Sequence, residues 1–157
     1  MFRAPKDFFR VMAFAEAVSW TLLIGGMVLR ATGGLDVAVT IGGGIHGFVF
    51  LAYGATAVIV AKNQRWGLLP AVVAIGSAVI PYATVPTHFW LSRSGRLEGD
   101  WRHEPSEHPR DHTWHDRLLR ALLHHPVAFG LGICALVILT YVMLLQAGPP
   151  VDVSPES

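Results

Sequence analysis

The chain has 157 residues, of which 52% are hydrophobic and 15% are charged, and its formal net charge is +1. This nearly neutral charge, without a basic tail, gives no indication of nucleic-acid binding. The mean hydropathy is +0.45, and the charges are gathered at the ends and in one internal stretch. This pattern indicates a small polytopic membrane protein without room for a large extramembrane domain.

Four apolar runs are long enough to cross a bilayer core, for which about 20 residues are needed. They cover approximately residues 8–29, 38–61, 66–85 and 126–145. The sequence therefore predicts an all-α membrane protein with a three-helix transmembrane bundle, an amphipathic interfacial helix and a fourth transmembrane helix.

The pattern divides the chain into four regions. Residues 6–91 are expected to form the three-span membrane core, residues 92–125 a His-rich polar loop with the amphipathic helix, and residues 126–146 the fourth transmembrane helix. The tail from 147 to 157 has no packing residues and is expected to be disordered.

Glu16 in the first run and His46 in the second are ionisable groups within predicted spans. In antiparallel helices they lie within roughly 6 Å of the same depth, so a hydrogen bond or ion pair between them is geometrically reasonable. With Ser19 they would form an intramembrane polar cluster. Such a cluster can relay protons, bind a cation or orient a metal-ligating imidazole. The structural alternative is an interhelical clamp of about 1 kcal/mol.

Glycines surround His46 in the stretch Gly42-Gly43-Gly44-Ile45-His46-Gly47. This fits the dinucleotide pattern G-x-G-x-x-G, but no acidic residue lies between Asp36 and Glu98 to bind the ribose, and the following segment is apolar on every face. Gly43, Gly47 and Gly54 fall on one side of a helix, where small residues allow a neighbouring backbone to approach. The pattern favours close helix packing, with a flat cofactor on the glycine face as the alternative.

Two prolines, Pro81 and Pro86, close the third run and are expected to break its helix near the membrane interface. Thr84 lies between them and could satisfy the carbonyl groups that the break leaves free.

The polar region from 92 to 125 contains six histidines. Pro109 suits the first turn of a helix ending near His124, with an apolar side that contains Trp114, Leu118, Leu119, Leu122 and Leu123. His108, His112 and His115 are candidate ligands for zinc or copper. The alternative is a solvated, charge-balanced loop, because a His-rich tract is only compositional evidence.

The orientation depends on where the basic residues lie. Three crossings would leave Arg3, Lys6, Arg10, Lys62 and Arg65 on one side, and Arg30 with the loop arginines on the other. The basic residues that precede the first helix favour an N-terminus inside, which would place the His-rich loop outside.

Several short elements resemble the domain-of-unknown-function 3817 family of small bacterial integral membrane proteins. They are Phe9-Arg10, Ala15-Glu16-x-x-Ser19, Met27, Gly44-x-His46-Gly47, Phe50, Tyr53, Trp66 and Pro81-Tyr82-x-Thr84. The resemblance covers about residues 6–91 and implies a three-helix bundle in the bacterial cytoplasmic membrane, without a settled activity. The proline-phenylalanine pair usual in the family is Pro81-Tyr82 here.

These observations favour a noncatalytic, multi-pass membrane protein, an accessory or assembly subunit of a larger membrane complex or a homo-oligomer in the lipid bilayer. One alternative is a metal- or haem-binding protein that uses His46 and loop histidines. Another is a proton-coupled transport element that uses Glu16 and His46.

Overall fold

The computed structural model describes residues 4–104 and 113–147, and the regular structure in these ranges is entirely helical. The helices are α1 (Pro5–Gly33), α2 (Asp36–Asn63), α3 (Leu68–Gly76), α4 (Thr84–Arg93), α5 (Trp114–His124) and α6 (Pro126–Ala147). A short 3-10 turn, Ser77–Val79, follows α3. The predicted all-helical fold class is confirmed.

The two longest helices, α1 and α2, form an antiparallel hairpin. Gly34 ends α1 in the left-handed region, at φ 66°, and its N–H bonds the carbonyl of Arg30. Glycine adopts this conformation without the steric cost that a Cβ would bring. Within the described ranges, α1 and α2 are the two helices both long and apolar enough to cross a membrane.

Gly26 and Gly42 lie where α1 and α2 cross most closely. A Cβ added to Gly26 would lie 2.6 Å from the carbonyl oxygen of Ala38, and one added to Gly42 would lie 2.6 Å from that of Leu22. The two contacts are reciprocal, so each glycine receives the backbone of the opposite helix. This is the close backbone approach that small residues at a helix–helix contact allow.

The predicted glycine face of α2 is therefore only partly a packing surface. A Cβ on Gly43 would meet the Leu23 side chain at an ordinary 3.7 Å, and one on Gly54 would meet nothing within 4 Å. Gly47 does receive a neighbour, since a Cβ there would lie 3.1 Å from the ring of Tyr141 on α6. Helical periodicity identifies a face of α2 but not the residue at which a neighbour crosses it.

The third predicted span is not one helix. α3 and its 3-10 turn end at Val79, Ile80 is extended at φ −103° and ψ 123°, and α4 begins at Thr84. A residue before proline is pushed out of the helical region, which explains the conformation of Ile80 before Pro81. Pro86 lies in the first turn of α4, where the missing N–H breaks no helical hydrogen bond.

After this break the chain doubles back along α1. Trp20 Nε1 donates to the carbonyl of Ala78 at 3.3 Å near the end of α3. Further along, the ring of His88 on α4 stacks on that of Phe9, with centroids 6.2 Å apart. As the chain runs from α3 into α4, its contacts with α1 therefore move from Trp20 towards Phe9. We call residues 68–93 the α3–α4 hairpin.

The buried core lies at one end of the molecule, between the N-terminal half of α1, the C-terminal half of α2 and the α3–α4 hairpin. Its apolar members are Phe9, Ala13, Tyr53, Ala57, Val60, Ala74, Ala78, Leu91 and Leu97. We call this end the packed half.

The remainder of the α1–α2 hairpin, residues 22–45, is the open half. It exposes large apolar side chains, among them Leu29, Val37 and Ile41. Leu29 and Ile41 lie on opposite sides of a shallow cleft.

The last two helices occupy the region predicted to hold an amphipathic helix and a fourth span. α5 ends at His124, as predicted, but the predicted start at Pro109 lies outside the described residues, as does the tail from 148 onward. Leu119 and Leu123 of α5 are buried. α6 packs on α2, and its role as a membrane span stays a prediction.

Candidate functional site

The carboxyl group of Glu16 is fully buried and faces the beginning of α4. Thr84 Oγ1 lies 2.8 Å from Glu16 Oε2 and 2.9 Å from the carbonyl oxygen of Ala13. A threonine hydroxyl has one proton, so a protonated Glu16 that donates to Thr84, which then donates to Ala13, satisfies both contacts. The other carboxyl oxygen of Glu16, Oε1, is buried without a hydrogen-bond partner.

Ser19 connects α1 to His46 on α2. Its hydroxyl donates to the carbonyl oxygen of Glu16 at 2.7 Å and lies 2.9 Å from His46 Nδ1. Because the serine proton is used on the carbonyl, the tautomer of His46 with a proton on Nδ1 completes the pair. The His46 ring also packs against Trp20, with centroids 4.3 Å apart.

The structure brings Glu16, Ser19 and His46 together but does not form the Glu16–His46 contact that their depths suggest. Glu16 and Ser19 are three residues apart, so their side chains leave α1 about 60° apart. Glu16 therefore turns towards α4, whereas Ser19 turns towards α2. The sequence pattern does not identify Thr84 as the partner of Glu16, because that contact depends on the return of the chain along α1.

A third polar contact links α2 to α3. The hydroxyl of Tyr53, a fully buried residue, donates to the carbonyl oxygen of Ala74 at 2.9 Å and lies 3.2 Å from Ser77 Oγ. Together with Thr84–Glu16, Ser19–His46 and Trp20–Ala78, it makes a set of four interhelical links within the packed half and at its edge.

At the C-terminal end of α2, Arg102 and Asp116 form a separate polar cluster. Arg102 donates to the carbonyl oxygens of Asn63 and Lys62, at 2.5 and 2.6 Å. Carbonyls at the C-terminal end of a helix have no partner four residues further along the same helix. Asp116 accepts from Arg102 at 3.1 Å and lies 4.0 Å from Lys62 Nζ. This cluster fixes α5 against the end of α2.

Opposing effects act on the Asp116 carboxyl. Burial alone would raise its pKa, but hydrogen bonds from Thr113 and Arg102 and the charges of Lys62 and Arg102 together hold the pKa below its ordinary value. Asp116 is therefore ionised at neutral pH, and its charge contributes to the docking of α5.

The predicted metal ligands are only partly described. His115 is exposed and stacks on Trp114, with ring centroids 3.9 Å apart, whereas His108 and His112 lie outside the described residues. Across residues 4–104 and 113–147, no three His, Cys, Asp or Glu side chains are grouped so that they could hold a metal ion.

Comparison with known proteins supports the resemblance noted in the sequence. The model of the family described as "Domain of unknown function (DUF3817)" matches residues 6–93. The chain is also 34% identical over 91 residues to the Streptomyces coelicolor protein named "Putative membrane protein SCO5905". That alignment covers 57% of this chain and 11% of the relative, so the chain spans about a tenth of the relative's length. No solved structure matches the chain.

Proposed function

We propose that this chain, which belongs to the DUF3817 family, is a noncatalytic membrane protein that serves as an accessory or assembly subunit of a larger membrane complex. The observation that carries the proposal is that its buried polar side chains form contacts between helices. Thr84, Ser19 and Tyr53 each connect one helix to another rather than converging on a shared reactive centre.

Such links are suited to fixing helix order and register. Interhelical hydrogen bonds in membranes contribute about 0.6 kcal/mol on average, and up to about 1.7 kcal/mol. They also supply partners for polar groups that would be costly to leave unpaired in hydrocarbon. The packed half therefore has the character of a rigid helical scaffold.

The open half is where we place the contact with the partner. Leu29, Val37 and Ile41 are each about half exposed or more, at 48%, 62% and 58%. The side chains of Leu29 and Ile41 border a cleft with little polar surface. The comparison supports a large partner, since a similar segment makes up only 11% of a much longer protein. A segment that is fused to a long polypeptide in one protein can, in another organism or system, be a separate chain that binds a larger protein.

Site-specific photocross-linking in living cells tests this proposal. A photoreactive residue at Ile41 should give one discrete adduct with a larger membrane protein. The matched control is Val72 on α3, which is similarly exposed, at 56%, and should react only with lipid. Adducts with lipid alone at both positions would contradict the proposal, and an adduct of twice the chain mass would indicate a homo-oligomer instead.

One observation supports metal or haem binding as a second candidate. Ser19 at Nδ1 orients the His46 ring and leaves Nε2 as the nitrogen able to ligate, the arrangement common to metal-binding histidines. The test is a visible spectrum with elemental analysis of the purified wild type and His46→Ala. A band or stoichiometric metal lost in the variant would favour this candidate over the scaffold.

Proton-coupled transport has weaker support. The connection from Glu16 to His46 passes through the backbone carbonyl of Glu16, which cannot release a proton.

A further inference from the structure

The α3–α4 hairpin begins and ends at the same end of the molecule. We propose that it is a re-entrant membrane hairpin and that the end to which it returns is the cytoplasmic face, in contact with anionic phospholipids. We call this end the basic face. It comprises the N-terminus of α1, the C-terminus of α2, the connection at 64–67, both ends of the hairpin, residues 94–104 and α5. This inference does not depend on the proposed accessory role.

The length of α3 supports a partial rather than a full crossing. Nine α-helical residues and three 3-10 residues advance about 20 Å, against a hydrocarbon core of about 30 Å. At the tip, the Tyr82 hydroxyl lies 3.3 Å from Thr21 Oγ1, near the middle of α1. The break in the helix is therefore level with the middle of α1, and Ile80 and Tyr82 are exposed on its outer side.

The hairpin's return is fixed by contacts that the segment after α4 makes with the segment before α3 and with the start of α1. Trp66, which precedes α3, donates from Nε1 to the carbonyl of Arg96, which follows α4, at 2.7 Å. Asn63 Nδ2 donates to the carbonyl of Asp100 at 3.2 Å. The ring of Trp101 lies beside that of Phe8 near the start of α1, with centroids 6.2 Å apart.

Irregular backbone at membrane depth requires protein donors, because lipid supplies none. The end of α3 receives them from both long helices. Tyr53 donates to the carbonyl of Ala74, and Trp20 to that of Ala78. On the other side of the break, the Thr84 hydroxyl donates to the carbonyl of Ala13 and so holds the start of α4 against α1. These contacts are what a re-entrant turn needs.

Because the hairpin returns, the positive charges gather at one end of the molecule. With three full crossings, the basic residues would be divided between the two sides. In the structure, every Lys and Arg of the described ranges except Arg30 belongs to the basic face. They are Lys6, Arg10, Lys62, Arg65, Arg93, Arg96, Arg102, Arg117 and Arg120.

This asymmetry determines the orientation. Lys and Arg near the ends of membrane helices remain in the cytoplasm, and acidic residues count little in that rule. The basic face is therefore cytoplasmic, and the turn that contains Arg30 lies outside. The segment from 94 to 104 then lies inside with the N-terminus, opposite to the placement predicted from three full spans. α6 would carry the chain outward again.

The basic face also carries a site suited to a phospholipid headgroup. Pro86, Phe89, Trp90 and Arg93 line a cleft along α4 that ends at Arg93, an exposed residue on the basic face. The Arg96 guanidinium lies 5.1 Å from the centre of the Trp90 ring. Aromatic rings at the interface beside a guanidinium complement the acyl chain and the phosphate of a lipid.

Cysteine accessibility in intact bacterial cells tests the orientation. In a Cys134→Ser background, the two probes are Ala31→Cys, beside Arg30, and Glu98→Cys, beyond α4, both at exposed positions. A membrane-impermeant maleimide should label Ala31→Cys in intact cells and Glu98→Cys only after permeabilisation. Labelling of Glu98→Cys in intact cells would overturn the proposal, whether or not Ala31→Cys reacts. So would protection of Ala31→Cys until permeabilisation.

Reconstitution tests the lipid contact. The melting temperature should be higher in vesicles of phosphatidylcholine with phosphatidylglycerol than in phosphatidylcholine alone. Arg93→Gln should reduce this difference, whereas Arg30→Gln, at the opposite end, should leave it unchanged. Equal melting temperatures in the two lipids, or equal effects of the two substitutions, would contradict an anionic-lipid site on the basic face.

Discussion

The two halves of the α1–α2 hairpin are held together in different ways. In the packed half, large side chains such as Phe9, Tyr53 and Val60 fill the space between helices and are fully buried. In the open half, Gly26 and Gly42 bring the two backbones into direct contact, while neighbouring Leu29 and Ile41 remain exposed.

This difference shows two solutions to one physical problem. Lipid is as apolar as leucine, so helices in a membrane gain little from burying apolar surface. They associate through dense packing and hydrogen bonds instead. The packed half is held by large side chains and polar links. The open half is held by close contact of the two backbones, and its outer surface is left available for a partner. The following substitutions should separate these contributions.

The largest expected effect is from Phe9→Ala in the packed half. Phe9 is fully buried against Tyr53, Trp66 and His88, so truncation should leave a cavity and cost about 3–5 kcal/mol of stability. Thermal unfolding in detergent, followed by circular dichroism, measures the loss. Phe14→Ala is the matched control, since Phe14 is 43% exposed. Equal losses for both would contradict this description of the core.

Gly42→Ala should have the next largest effect, in the open half. The new Cβ would lie 2.6 Å from the carbonyl oxygen of Leu22, which is backbone and cannot turn away. The helices must separate, at a cost of about 1–3 kcal/mol. Gly25→Ala, with nothing within 4 Å of the added Cβ, should unfold at the wild-type temperature or slightly above it. An unchanged melting temperature for Gly42→Ala would rule out the close crossing.

Thr84→Val should cost about 1 kcal/mol, because it removes the hydroxyl that joins α4 to Glu16 and Ala13. Glu16→Gln should be milder, since its amide can donate to the Thr84 hydroxyl. The control is Thr40→Val, whose exposed hydroxyl bonds a carbonyl of its own helix. A Thr40→Val loss as large as that of Thr84→Val would argue against an interhelical role for Thr84.

The smallest expected effect depends on pH. The folded-state pKa of Asp116 is lowered from its ordinary value of 3.8, so its contribution to stability is present above that value and is lost as pH falls through the lowered pKa. Hydrogen exchange of α5 amides should therefore become faster in acid relative to α2. Asp116→Asn should already exchange faster at neutral pH and change less in acid. An identical acid response in the two proteins would exclude Asp116 as the docking charge.

Local features of the fold follow closely from the sequence, and tertiary features do not. The bounds of the two long helices, the end at Gly34 and the break near Pro81 depend on nearby residues, and patterns of hydropathy, glycine and proline indicate them. The direction of the chain after Ile80 depends on contacts with α1, which lies more than 60 residues earlier. A hydropathy pattern therefore predicts one continuous helix where the structure has two helices in a hairpin.

The candidate site shows the same limit. Glu16, Ser19 and His46 are conspicuous as polar residues in apolar runs, and the structure does gather them. Their partners depend on the direction in which each side chain leaves its helix. The partner of Glu16 is therefore Thr84, not His46 as its depth alone suggests. The sequence likewise does not identify Gly26 and Gly42 as the crossing point among its sixteen glycines, because only the packing distinguishes these two from the others.

A double-mutant cycle tests whether the buried polar side chains are structural links. The stabilities of wild type, Glu16→Leu, Thr84→Val and the double variant would be measured by the same unfolding assay. If the two side chains hold α1 and α4 together, the losses should not be additive and the coupling between them should be about 1 kcal/mol. Additive losses, with no coupling, would contradict this link and would leave Glu16 to be explained by a role other than holding the helices together.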